Sequence, residues 1–234
     1  ELNRRGTKVA ALDRSRARGR ADAARVVPPR LSERSAQVVS RFADAADTLA
    51  FKPGVPALAR FPVSAWKSCF DRAFKTAGVS ALGYGNPAGE TALRSAILRH
   101  LAVARGVRCD IGQVVITEGA QEALNLCVRL ATNPGDTAWL EDPGYRGAHT
   151  AFRCGDLRVE PVRVDDAGLL VPAQAWAAMP PRLIYTTPSH QYPTGAVLPV
   201  ARRLALIRQA QACGAWIIED DYDSEFRHAG ELIG

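Results

Sequence analysis

The chain has 234 residues, 47% of them apolar, and a formal net charge of +6, enough to bury a sizeable core in one large domain or two small ones. No apolar run approaches the roughly 18 residues of a membrane-spanning helix, and the first residues are too charged for a signal peptide, so a cytoplasmic protein is expected. Residues 1–35 hold ten Lys or Arg against four Asp or Glu, which is the whole net charge; a polyanion is expected to meet that arm and not the neutral body, the alternative being that the arm is only a solvated linker.

In chain order, residues 1–12 are expected as a short remnant of a preceding unit. Residues 13–50 read as a basic linker, since the alternating Arg and small residues from Arg14 to Arg20 and the pair Pro28-Pro29 offer no apolar stripe. Residues 51–82 comprise a proline-punctuated arm and an amphipathic helix around 63–77. Over 83–234 the texture alternates. Short apolar or β-branched runs at 114–117, 137–141, 157–162, 183–186 and 215–218 are expected as strands. Between them, helical spacing joins Leu124, Val128 and Ala131, then Ala148, Ala151 and Phe152, then Leu204, Ile207 and Ala210. This predicts an α/β fold with a mostly parallel sheet, flanking helices, and ligands at the carboxyl ends of the strands. The five cysteines contain no Cys-x-x-Cys pair and read as small core residues of a reducing compartment. The four histidines show no metal-ligand spacing.

Four loops carry chemistry. Thr-Glu-Gly-Ala-Gln at 117–121 passes from an expected strand into a helix, placing the N–H groups of Gly119, Ala120 and Gln121 where a phosphate is favoured. Glu-Asp-Pro-Gly-Tyr at 141–145 presents Tyr145, either to stack on a planar ring or to cover the following helix. Thr-Thr-Pro-Ser-His-Gln-Tyr-Pro-Thr-Gly at 186–195 can hold His190, Gln191 or Tyr192 beside a ring oxygen. In Glu-Asp-Asp-Tyr at 219–222, Asp220 and Tyr222 follow a buried strand and share a face by the period of two. A carboxylate for a pyridine nitrogen and a phenol for a ring oxygen are what pyridoxal phosphate needs as an electron sink.

With Phe-x-Pro-Gly-x-Pro at 51–56 and Gly-Tyr-Gly-x-Pro-x-Gly at 83–89, these loops resemble, in order and spacing, the large domain of the aminotransferase class I/II family. The wording is that of its regulatory branch, the MocR-type transcription factors of the GntR superfamily. The resemblance covers about residues 51–228, and Arg-Arg-Gly-Thr-x-Val-Ala at 4–10 resembles the end of a GntR-type wing. It implies a partial large domain of the pyridoxal phosphate-dependent aminotransferase architecture (fold type I), over residues 83–234. It further implies a homodimer in which Tyr84 approaches the phosphate bound by the partner subunit. Gly119, Ala120 and Gln121 would cradle the chain's own phosphate, Tyr145 would stack on the ring, Asp220 would pair with its nitrogen and Tyr222 with its 3-oxygen. Tyr192 stands where aminotransferases have Asn, which shifts oxygen recognition to His190, Gln191 or Tyr222. The family's Schiff-base lysine lies some dozens of residues beyond the aspartate, whereas the lysines here are Lys8, Lys52, Lys67 and Lys75. The expected protein is therefore a fragment of a regulator. It would sense a small amino compound or the cofactor itself and contact DNA through an N-terminal domain outside this chain. An incomplete aminotransferase acting on an amino acid or amine is the alternative.

Overall fold

The computed structural model describes Arg30, residues 32–38 and residues 56–224. The wing expected at 1–12, most of the linker expected at 13–50 and the start of the arm lie outside the described residues. The chain divides into a first unit, Glu1–Glu33, and a second, Arg34–Gly234, which holds the sheet and its helices. Inside the stretch read as linker, Glu33–Val38 forms a short helix, α1. Arg34 Nε donates to Asp156 Oδ1 at 2.9 Å and its Nη2 pairs with Oδ2, an exposed ion pair of small energetic weight.

The remaining elements are α2 (Val63–Ala77), α3 (Thr91–Arg105), α4 (Ala120–Ala131), β1 (Thr137–Asp142), α5 (Arg146–Cys154), β2 (Arg158–Asp165), β3 (Gly168–Leu169), α6 (Ala175–Ala178), β4 (Leu183–Thr186), α7 (Val200–Cys213) and β5 (Trp216–Glu219). The sheet order is β3-β2-β1-β4-β5. β1 pairs in parallel with β2 and β4, β5 is parallel to β4, and only the two-residue β3 runs antiparallel, as a hairpin on β2. Because β2 lies on one side of β1 and β4 on the other, the winding reverses at β1, and the carboxyl ends of β1 and β4 open a crevice there.

Alternation along the strands builds two cores. Ala138, Leu140, Leu183 and Tyr185 face α4 and α5, packing with Leu124, Val128, Ala148, Ala151 and Phe152. Trp139 and Ile184 point the other way, toward Leu198, Leu206 and Ala210, and the Trp139 ring meets Trp176 edge-on with centroids 4.6 Å apart. Three layers result, with helices on both faces of the sheet.

Four sequence expectations need correction. None of the five cysteines is a core residue, Cys69 and Cys213 being exposed and the other three half-buried, and β5, which leads into Asp220, is an edge strand with Trp216 exposed and not a buried one. Residues 114–117 form no strand and pair with none among the described residues. Buried Arg94 of α3 instead donates from Nε to the Val114 carbonyl at 2.7 Å and from Nη2 to that of Ile111 at 2.6 Å, and Ile116 N–H reaches Ala88 O at 2.9 Å. Side-chain and loop partners thus take the place of a ladder. On α7 the buried face is Arg203, Leu206 and Ala210, while Leu204 and Ile207 stay exposed. This rotation carries Arg203 Nε to Leu198 O at 3.0 Å and Nη1 to Glu219 Oε1 at 3.5 Å, while its buried Nη2 has no hydrogen-bond partner among the described residues, a charged group that the apolar pattern did not anticipate. No helix among the described residues is long and apolar enough to cross a membrane.

The β2–β3 hairpin is tied to α7 by Arg202, whose Nη1 and Nη2 reach the two Asp165 oxygens at 2.7 and 2.8 Å. The Arg202 bond, aided by Ala167 N–H, holds the Asp165 carboxyl down from its ordinary 3.8 to about 2. A group with a depressed folded pKa contributes stability above its unfolded value and loses it as pH falls through the folded one. The thermal midpoint of the chain is therefore expected to fall between pH 4 and pH 2 more steeply than that of Asp165→Asn. Equal slopes in a pH series of melting curves would contradict the strap.

Candidate cofactor-binding site

At the carboxyl end of β1, Glu141 is only 3% exposed. Its carboxylate accepts from Thr186 Oγ1 at 2.6 Å, Thr187 N at 3.2 Å, Thr187 Oγ1 at 2.7 Å and Gln191 Nε2 at 3.1 Å. The buried charge thereby gathers the loop after β4 beneath the crevice, fully hydrogen-bonded as its burial requires. Gln191 is consumed in this floor. Its Nε2 also reaches Pro143 O and Tyr192 O, and its Oε1 accepts from Thr194. The expectation that Gln191 faces a ring oxygen is thus corrected: its amide is turned into the network and does not line the cavity above it.

That cavity, about 360 Å³, is walled by Ala120, Tyr145, Tyr185, Thr187, Tyr192, Asp220, Tyr222 and Asp223. Gly119 caps α4 at φ +107°, a conformation open to glycine, and a Cβ there would meet nothing within 4 Å. The first N–H groups of α4 have no intrahelical acceptor and open at the cavity wall formed by Ala120. Tyr145 caps α5, and its ring lies over Gly147, where a Cβ would collide with it. The Gln121 amide packs over the same glycine.

Asp220 and Asp221 part company just beyond β5. Asp220 lines the cavity, with Oδ2 accepting from Tyr185 Oη at 2.7 Å. Asp221 accepts from Ser224 Oγ at 2.8 Å and pairs with the nearly buried Arg105 at 2.9 Å. Among the described residues two cations meet this acidic run, Arg105 of α3 at Asp221 and Arg203 of α7 at Glu219. Tyr222 lies between His190, stacked at 5.7 Å and 9°, and Tyr192, edge-on at 6.1 Å. Burial, followed by the neighbouring Asp223, pushes the Tyr222 phenol up to about 12, so near neutrality it is a hydrogen-bond donor. His190 is exposed and outside the cavity lining, and Tyr84 is fully exposed on the single chain.

Of the expected residues, Ala120, Tyr145, Tyr192, Asp220 and Tyr222 are brought together around one cavity, with Gly119, Gln121 and His190 beside it. Sequence reasoning missed Tyr185, Thr187 and Asp223. The signal for the first two was the period of two, which puts Tyr185 and Thr187 on one face of the strand and its extension.

The sequence matches the family described as aminotransferase class I and II over residues 53–226. The chain belongs to that family. It is 34% identical over 230 residues to the probable rhizopine catabolism regulatory protein MocR of Rhizobium meliloti, covering 97% of this chain and 46% of that protein. Among solved structures, LysN, the α-aminoadipate aminotransferase of Thermus thermophilus, is 32% identical with a TM-score of 0.64, covering 73% of this chain and 43% of that one. The multiple substrate aminotransferase of Thermococcus profundus is 27% identical at a TM-score of 0.74, covering 87% and 54%. This chain thus spans about half the length of these relatives. The family's cofactor is pyridoxal 5′-phosphate, and the residues present fit it. Helix N–H groups and an open glycine suit a phosphate, a tyrosine ring suits a planar face, and a carboxylate and a protonated phenol suit the ring nitrogen and oxygen. The cavity also falls within the roughly 300–1,000 Å³ usual for small-molecule sites.

Proposed function

We propose that this chain is the cofactor-binding, effector-sensing and dimerisation part of a MocR-type transcriptional regulator. The supporting observation is the extent of the MocR match. It takes in 97% of the chain and so includes basic N-terminal residues that precede the aminotransferase match at residue 53. An enzyme reading gives that arm no task, whereas a regulator needs a link to a DNA-binding domain. On this reading residues 1–12 end a winged helix, residues 13–50 link it to the body, and DNA is held through an N-terminal domain outside this chain. The effector is the cofactor or a small amino compound, and the setting is cytoplasmic.

Within the site each residue has a task. The N–H groups of Gly119, Ala120 and Gln121 hold the phosphate, Tyr145 covers a ring face and Asp220 holds a proton at the pyridine nitrogen. Tyr222 donates to the ring oxygen, with His190 and Tyr192 keeping its phenol in place. The bound group would supply an electron sink for carbon atoms next to an amine. A second copy of the chain is part of the proposal: α2 has no buried residue and leaves Trp66, Phe70 and Phe74 exposed beside Phe61, and Tyr84 is free to reach a partner's site.

Titration of the 234-residue chain with pyridoxamine 5′-phosphate, followed by cofactor fluorescence, tests the reading. This ligand contains no aldehyde, so surface lysines do not react with it. Saturable one-to-one binding, clearly weaker for unphosphorylated pyridoxamine and without amino transfer to added 2-oxo acids, is expected. Conversion of 2-oxo acids to amino acids at the expense of bound pyridoxamine 5′-phosphate would overturn the regulator reading in favour of an aminotransferase. Absence of saturable binding would overturn both.

A further inference from the structure

Asp220 needs a reason to point where it does. Its carboxylate stands on the cavity wall, yet the nearby guanidinium of Arg105 goes to Asp221. The side chain that holds Asp220 is the Tyr185 phenol, whose O–H donates to Oδ2 at 2.7 Å. Tyr185 belongs to the central strand β4 and is 0% exposed. Its ring is clamped by Phe152, edge-on at 6.4 Å and 87°, and by Tyr145 at 6.5 Å. A hydroxyl delivered into an apolar core demands an acceptor, and Asp220 is the one in place. The Asp220 backbone is fixed as well, its N–H reaching Thr186 O at 3.0 Å.

We infer that Tyr185 is a positioning residue: its immobile phenol ties one oxygen of Asp220 and leaves the other turned into the cavity toward the ring nitrogen of a bound pyridine. This assignment rests on the proposed cofactor site. Burial, then the bond to Asp220, drives the Tyr185 phenol far above the ordinary range, so it remains a donor at any working pH. Tyr222 is only partly buried and makes no hydrogen bond to Asp220 among the described residues, so it does not substitute. The other titratable groups on the cavity wall with Asp220 are the phenols of Tyr145 and Tyr192 and the carboxylate of Asp223, with Glu141 acting on Tyr185 from the floor and the Asp221–Arg105 pair behind.

Tyr185→Phe keeps the ring packing and removes one hydroxyl. Its affinity for pyridoxamine 5′-phosphate is expected to fall about tenfold, the size of one charge-assisted hydrogen bond. The pH at which the bound ring nitrogen loses its proton, read from the ligand's absorption spectrum, is expected to drop by about one unit. In an Asp220→Ala background the same replacement should have no further effect, because the two groups act as one. A purely packing role predicts instead an unchanged ring-nitrogen midpoint and additive losses in the double variant. Either result, with the parent chain binding normally, overturns the assignment and leaves the cofactor site standing. Failure of the parent chain to bind overturns both. Thermal melting checks that the variant is folded; should it not be, Asp220→Asn replaces it. That variant keeps an acceptor for Tyr185 but no charge, and an affinity equal to that of the parent chain would also contradict the inference.

Discussion

Replacing Glu141 by alanine is expected to lower the stability of the chain by roughly 3–5 kcal/mol, since each buried donor left without an acceptor costs about 1–3 kcal/mol and water relieves only part of the loss. Four donors converge on this carboxylate, from Thr186, Thr187 and Gln191. Removing it leaves the loop after β4 without its anchor, so Tyr192 and Thr187 leave the cavity wall and pyridoxamine 5′-phosphate binding falls with stability. Glu141→Gln keeps one acceptor oxygen and should lie between the two. Urea unfolding of the three proteins measures this, and a loss under about 1 kcal/mol in Glu141→Ala would show that the network is decorative.

Asp220→Ala should weaken pyridoxamine 5′-phosphate binding by roughly 1.5–3 kcal/mol, or about 10–150-fold, the range for a hydrogen bond to a charged group. Asp221→Ala should leave affinity within about threefold, since this carboxylate faces Arg105 and Ser224, and its cost should appear as stability instead. Fluorescence titration of both variants makes the comparison. Greater damage to binding from Asp221→Ala, with both proteins folded, would mean that the register of the two aspartates is reversed.

The parallel sheet was legible because β1, β4 and β5 are short apolar runs separated by helical spacing, and β4 occupies the residues that its pattern marks, 183–186. Residues 114–117 carry the same pattern and yet form no strand, since composition does not reveal whether a neighbouring strand is available to pair with. The α7 stripe misled for a related reason: Arg203 is buried through a carbonyl and an ion pair that no hydropathy pattern encodes. In the site, motif wording pointed to Tyr145, Asp220 and Tyr222, which do share one cavity. It could not tell Gln191, which faces down into the floor, from Tyr192, which faces up, because both directions are open to a loop. Tyr185 escaped notice because a tyrosine in an apolar strand looks like core, and it is core at every atom but its oxygen.

The cavity is assembled from segments distant in the chain. Glu141 and Thr187 are 46 residues apart and Tyr185 and Asp220 are 35 apart, so none of its walls exists until β1, β4 and β5 are in register. A ligand that fills it has affinity for the folded chain and almost none for the unfolded one. Occupancy then feeds back on folding: at a free ligand concentration about 100 times the dissociation constant, the folded state gains about 2.7 kcal/mol. The concentration of that ligand in the cell would in this way set how much of the protein persists.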